Sequence, residues 1–148
     1  KLIMKKTDIK LNQVTLSDSK FLYELLMERD PTVNISHKQL PDYEQHKKFI
    51  KSSPYSKWYI INYCKRKIGS IYLSKQNEIG IFLKKDFQGK HFGKLAFDLL
   101  VQKNPRKRYL ANVNPKNKDS QKFFKTNSFR LIQYTYELIP KVDSKNEN

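Results

Sequence analysis

The chain has 148 residues, 38% of them hydrophobic and 13% aromatic, which suffices for one domain with its own core and is too apolar for a compositionally disordered chain. No apolar run approaches the ~20 residues of a membrane helix, and a single cysteine, Cys64, with three histidines off ligand spacing, excludes an internal disulfide framework and a Cys-based zinc site. The 30 basic and 14 acidic residues leave a net charge of +16, which suits an anionic partner, although only five of the cations are arginines and a Lys-, Asn- and Ile-rich composition reaches the same balance with no binding role.

Residues 9–14 alternate loosely, as a first strand does. Thr15, Ser17 and Asp18 then offer capping chemistry, and Phe21, Leu22, Leu25 and Leu26 follow at helical spacing, which predicts a helix over 18–29. The stretch 29–40 has no clear period. Pro41 and Asp42 open a second helix that Ser52, Ser53 and Pro54 end. Two strand-like runs, 57–63 and 67–74, flank the short Cys64-Lys65-Arg66 connection and predict a hairpin, and 78–83 is a third β-rich run. The period then changes: Phe92, Leu95, Ala96, Leu99 and Leu100 mark a helix with one buried face. Residues 109–113 read as a strand, 117–126 as a short helix and 129–139 as a long alternating strand. The order β-α-α-β-β-β-α-β-α-β predicts a single α/β (α+β) domain over 1–139 with a mixed, mostly antiparallel sheet, helices on both faces, and a polar, frayed tail over 140–148.

Two of the four glycines, Gly89 and Gly93, fall in the six residues Gln88-Gly89-Lys90-His91-Phe92-Gly93, between a strand and the strongest helix. A helix start presents unpaired N–H groups and partial positive charge. With Lys84, Lys85, Lys90 and Lys94 nearby, this junction suits a pyrophosphate; equally, the glycines shape a tight strand-to-helix turn. It lacks the Gly-Lys-Ser/Thr ending of a Walker loop.

The run from Glu78 to Ala96 resembles the acetyl-CoA motif of the GNAT acetyltransferase superfamily, Gln/Arg-x-x-Gly-x-Gly/Ala, with Gln88 in its first place, Gly93 in its last and His91 replacing the middle glycine. Asn117-Lys118-Asp119-Ser120-Gln121-Lys122-Phe123-Phe124 is similar to the family's second motif, Asn-x-x-Ser/Ala-x-x-x-Tyr, with Phe124 in place of the tyrosine. The resemblance implies a fold in which the fourth and fifth strands splay apart. It also implies that Ile81, Phe82 and Leu83 offer backbone groups to a pantetheine arm. Gln88, Gly89, Lys90, His91, Phe92, Gly93 and Lys94 would wrap the pyrophosphate, and Asn117 would bond the cofactor arm or simply cap its helix. The implied cosubstrate is acetyl-CoA, with no metal, and the implied reaction is direct acetyl transfer to an amine.

Members often use a fifth-strand carboxylate as base and the tyrosine as acid. Here Asn112 and Phe124 stand at those positions, so both usual proton handlers are absent. Glu78, acting through water, is the best remaining base and is otherwise an exposed strand-end charge; Asp30, His37, Tyr43, Tyr134 and Tyr136 are weaker candidates. A lysine amine is neutral in only about one molecule in two thousand at pH 7, whereas an α-amine is neutral in roughly a tenth. An enzyme without a strong base therefore matches a low-pKa primary amine, such as a nucleotide-linked amino sugar or an α-amine, better than lysine. The acceptor pocket is expected between the first two helices and the later strands, lined by the 29–40 loop, Trp58 and the Tyr134–Tyr136 stretch.

Two other classes stand beside this reading. One is a basic nucleic-acid-binding protein, with Lys103, Arg106, Lys107 and Arg108 as its best cluster, although cations are favoured at a helix end anyway and no known nucleic-acid-binding motif accompanies them. The other is a degenerate acyltransferase that binds CoA without turnover, to which His91, Asn112 and Phe124 point. The expected partner is a small-molecule amine that is itself anionic, rather than nucleic acid or membrane, with the chain a monomer or homodimer. No short apolar stretch follows a basic start, so cytoplasm is the expected compartment.

Overall fold

The computed structural model describes residues 8–29 and 40–141. Strand β1 (Ile9–Gln13) buries Ile9 and Leu11 and exposes the residues between them. A 3-10 turn over Leu16–Asp18 leads into helix α1 (Ser19–Met27). The nearly buried Asp18 fixes this entry: one oxygen accepts the Thr15 N–H at 2.8 Å and the other the Lys67 Nζ at 2.7 Å. Helix α2 (Tyr43–Lys51) starts on a reciprocal cap, with the Gln45 N–H donating to Asp42 Oδ1 at 2.7 Å and the Asp42 N–H to Gln45 Oε1 at 3.1 Å.

Strands β2 (Lys57–Tyr63) and β3 (Arg66–Leu73) form the expected hairpin. Its turn is Cys64-Lys65, both at positive φ, the backbone that matches the twist of two-residue hairpins. Strand β4 (Ile79–Leu83) follows, then a 3-10 turn (Lys85–Phe87), helix α3 (Phe92–Lys103) and helix α4 (Lys118–Thr126). The strands make one antiparallel sheet in the order β1-β2-β3-β4.

Helices cover both faces, as predicted. On one, Phe92, Ala96 and Leu100 of α3 pack on Ile9, Leu11, Ile61, Ile71, Leu73 and Ile79. On the other, Leu22 of α1 and Ile50 of α2 meet Ile60, with Phe21 and Trp58 at the margin. Alternation along β4 puts Ile79, Ile81 and Leu83 on the α3 face and Gly80 and Phe82 on the other.

Two predicted strands are corrected. In 109–113 only Leu110 pairs, in one parallel bridge with Glu78. The segment is tied instead to the end of α3, where the Tyr109 hydroxyl donates to the Asn104 carbonyl at 2.6 Å. The mixed character of the sheet is confined to that bridge. Residues 129–139 form no ladder among the described residues: Phe129 anchors on Phe97 and Phe124, and beyond it Tyr134, Tyr136 and Leu138 are exposed. Their two-residue period fits a strand, but period alone supplies no neighbour. No helix among the described residues is long and apolar enough to cross a membrane.

Candidate active site

The site begins with the hydrogen-bond parity of β4. Ser74 donates its N–H to the Glu78 carbonyl and Lys84 its N–H to the Ile68 carbonyl, so residues 78, 80, 82 and 84 face β3. Residues 79, 81 and 83 therefore face the outer edge. At the near end the Ile79 N–H donates to the Leu110 carbonyl at 2.7 Å, and the Leu110 N–H to the Asn77 carbonyl. At the far end Gln88 Nε2 donates to the Leu83 carbonyl at 3.0 Å. Between these brackets the Ile79 carbonyl, both backbone groups of Ile81 and the Leu83 N–H have no hydrogen-bond partner among the described residues. Past Leu110 the 109–113 segment pairs no further with β4, and the edge lies open. Of the expected trio, Phe82 turns its N–H and C=O to Ser70, while Ile81 and Leu83 offer groups outward.

The loop from β4 to α3 supplies the second part. Gly89 sits at φ +71° with nothing within 4 Å of where a Cβ would be, and His91, the N-cap of α3, at φ +68°. His91 thus occupies a left-handed position, which accounts for glycine being usual there, and its ring is exposed. No side chain caps α3; the Leu95 N–H is the first to bond back, to the His91 carbonyl. Lys90 is exposed, whereas Lys94 pairs with Asp98 at 2.9 Å and contributes to the loop chiefly through its main chain. Phe92 is buried against Tyr63 and Phe87 and pins the helix start to the sheet. Gly93 is also buried: a Cβ there would come within 3.1 Å of Phe123 and 3.7 Å of Ile81, so its smallness lets α3 approach α4 and β4. Asn117 caps α4, its Oδ1 accepting the Ser120 N–H at 3.1 Å, and its Nδ2 has no partner among the described residues.

Glu78 and Asn112 meet, although the sequence placed them separately. Asn112 Nδ2 donates to Glu78 Oε2, and the Ser74 hydroxyl to Oε1 at 3.2 Å. The carboxylate thus stands at the mouth of the open edge, oriented from both sides. Phe124 is buried against Phe123 and Phe129. Asp30 and His37 lie outside the described residues. Tyr43 packs on Tyr23 at 5.3 Å, and Trp58 donates its indole N–H to Ser70 Oγ at 2.8 Å as part of the α1–α2 core. Tyr134 and Tyr136 are exposed, on the segment that forms no ladder among the described residues.

A cluster missed in the sequence covers the other face of β4. The Arg29 guanidinium lies 4.1 Å above the Phe82 ring. Tyr72 lies across Gly80, so close that a Cβ there would be 2.2 Å from its ring, and it stacks on Tyr55 at 3.9 Å and 7°. Burial raises the Tyr55 and Tyr72 hydroxyls above their ordinary range, and burial lowers Arg29, which remains charged. The Lys85 N–H donates to Glu28 Oε1 at 3.3 Å, which ties the end of α1 to the end of β4. The signal that would have found this cluster is the β3–β4 register, which pairs Tyr72 with Gly80.

Residues 19–129 match the model of the acetyltransferase (GNAT) family. The chain belongs to the GNAT acetyltransferase family. It is accordingly an N-acetyltransferase by family, an enzyme that moves an acyl group to an amine. No curated protein matches the chain at a significant level. Among solved structures it is similar to RimL, a ribosomal L7/L12 alpha-N-protein acetyltransferase in complex with coenzyme A, at 17% identity and TM-score 0.70, over 86% of this chain and 82% of that one. An acetyltransferase from Thermus thermophilus gives 18% identity and TM-score 0.69, over 84% and 88%. The microcin C7 self-immunity acetyltransferase MccE, in complex with acetyl-CoA and AMP, gives 19% and 0.63, over 80% and 76%. At these identities the likeness is one of fold. Within the GNAT frame, the open β4 edge and the α3 loop lie together, and the Arg29 cluster sits across the strand from them.

Proposed function

We propose that this GNAT protein uses acetyl-CoA to acetylate a low-pKa primary amine, with α-amines and nucleotide-linked amino sugars as the acceptor classes. The observation that carries this reading is the bracketed, unpaired edge at Ile81 beside an uncapped helix start. Its donors and acceptors alternate as an amide-bearing arm requires, and the left-handed loop over Gly89 and His91 leaves main-chain N–H groups for a diphosphate. Bound acetyl-CoA would supply an activated acyl carbonyl and a thiolate leaving group. The Ile81 N–H would hold the carbonyl oxygen, and the Ile81 C=O and Asn117 Nδ2 would orient the arm. Glu78, held by Asn112 and Ser74, would accept the amine's proton through water. A neutral fraction of roughly a tenth for an α-amine at pH 7 lets a weak base of this kind suffice, because its remaining task is the proton released as the amine attacks.

Acetyl-CoA titration calorimetry and release of free CoA thiol across a panel of amines test the reading. Glu78→Gln should lower kcat by tenfold or more, as expected of a general base, with acetyl-CoA affinity unchanged; equal kcat would remove Glu78 from the reaction. A second reading, CoA binding without turnover, is favoured by the engagement of both Glu78 oxygens and by the missing hydroxyl at Phe124. Tight acetyl-CoA binding with no thiol release from any amine would select it.

A further inference from the structure

Resting on the acetyl-transfer reading, we propose that the acceptor carries an anionic group, a carboxylate or a phosphate, beside its amine, and that Arg29 on its Phe82–Tyr72 platform is the residue that reads it.

Arg29 is partly buried and has no ion pair among the described residues. Its neighbour Glu28 turns Oε1 to the Lys85 N–H and makes no ion pair with it. One face of the guanidinium rests on Phe82, and its N–H fork has no partner among the described residues. Taking a cation out of water without a counter-charge is costly, and an aromatic face returns only part of that cost. The remainder is available to whatever anion completes the fork. The neighbouring polar groups fit the same guest: the Tyr55 and Tyr72 hydroxyls accept no hydrogen bond within the described residues and, being protonated, are donors.

Position separates this anion from the coenzyme. Arg29 lies on the Gly80–Phe82 face of β4, whereas α3 and its start cover the Ile79–Ile81–Leu83 face. A diphosphate at the helix start is therefore across the sheet from Arg29. Phe82 also adjoins Ile81, whose outward N–H marks the acyl position, and successive Cα atoms are about 3.8 Å apart. An anion on Arg29 thus belongs to a compact acceptor with its charge a few bonds from the amine. At the opposite end of the same face, beyond Gly80, stands Glu78, which suits the ammonium form. Discrimination would come from the neutral competitor, which leaves the fork buried and unpaired.

Matched acceptor pairs test this: the dipeptide Ser-Ala against its C-terminal amide for the carboxylate, where a peptide bond separates the charge from the amine and keeps the amine pKa values close, and glucosamine 6-phosphate against glucosamine for the phosphate. The expected result is that at least one anionic member outcompetes its neutral partner in kcat/KM by roughly tenfold or more, the scale of one charge-assisted pair. Arg29→Gln should then raise KM for that member by roughly 10- to 100-fold, with its kcat, turnover of the neutral partner and the acetyl-CoA Kd little changed. Arg29→Lys should restore only part of the loss, because an ammonium lacks the planar fork. Should Arg29→Gln fold poorly, the Lys variant and the wild-type preference still decide. Equal or better use of the neutral members, an equal effect of Arg29→Gln on both, or no turnover of any anionic member by protein that binds acetyl-CoA would each overturn the proposal. Failure of the wild type to bind acetyl-CoA would instead overturn the function on which it rests, and this inference with it.

Discussion

Gly80 sits where the Tyr72 ring crosses β4, and alanine there sets two effects against each other. A Cβ would stand 2.2 Å from Tyr72 Cε2 and Cζ and 2.5 Å from the hydroxyl. Carbon contacts need about 3.5–4.0 Å, so the ring must swing away. That forfeits the stack on Tyr55, worth about 0.5–1.5 kcal/mol beyond area, together with part of the burial of a large ring. Against this, alanine gains about 0.5–1 kcal/mol over glycine within a strand. Gly80→Ala alone should therefore destabilise by about 1–2 kcal/mol. In a Tyr72→Ala background the obstacle is gone, and the same change should stabilise by about 0.5–1 kcal/mol. The resulting coupling, about 2 kcal/mol, falls within the range for residues in contact. Urea unfolding of the four proteins of this cycle, followed by circular dichroism, reads it as midpoint shifts at constant m. The same sign of the Gly80→Ala effect in both backgrounds would refute the reasoning.

Three further predictions use other parts of the molecule. At Gly69 a Cβ would meet the Phe82 carbonyl oxygen at 2.3 Å and the Leu83 Cα at 3.1 Å; this is backbone that cannot swing aside. Gly69→Ala should cost about 3 kcal/mol in a urea titration, whereas Gly89→Ala, strained in φ but unobstructed, should cost about 1 kcal/mol. His91→Gly should stabilise by about 1 kcal/mol by removing a left-handed side-chain residue, with acetyl-CoA affinity in calorimetry held within a few-fold; a large loss would show that the imidazole itself contacts the coenzyme. The His46 imidazole is buried against Tyr23, its Nε2 without a partner among the described residues, and burial lowers its pKa. The unfolded chain binds the proton near pH 6.5 and the folded chain only below that. This contribution to stability is therefore present above pH 6.5 and lost as pH falls through the interval between the two values. His46→Leu should flatten the fall in urea midpoint between pH 7.5 and 5.5; an unchanged slope would mean that His46 does not titrate there.

The helices and the first four strands were legible because each repeats a period over several turns or pairs. The α3 stripe from Phe92 to Leu100, the Asp42 cap and the hairpin around Cys64 are local signals. The left-handed turn that leads into α3 was legible through two glycines in a glycine-poor chain. The failures were all of partnership. Residues 109–113 and 129–139 carry strand periods, yet a period does not say which strand lies alongside. The facing of Phe82 and Gly93 likewise needed the fold: parity turns the Phe82 backbone to Ser70, and Gly93 makes room for Phe123. Arg29, Tyr55 and Tyr72 were invisible as a group because 17 to 43 residues separate them along the chain and only the β3–β4 register and the end of α1 bring them together.

The uncovered margin of β4 is also short. With the Ile79 N–H taken by Leu110 and the Leu83 carbonyl by Gln88, the free rungs extend over roughly 13 Å at most, four residues at the usual rise. A guest with a couple of amides fills that length. Another polypeptide seeking to extend the sheet finds too few rungs to hold it, so the opening proposed for the coenzyme's arm also guards the molecule against zippering onto its neighbours along this side.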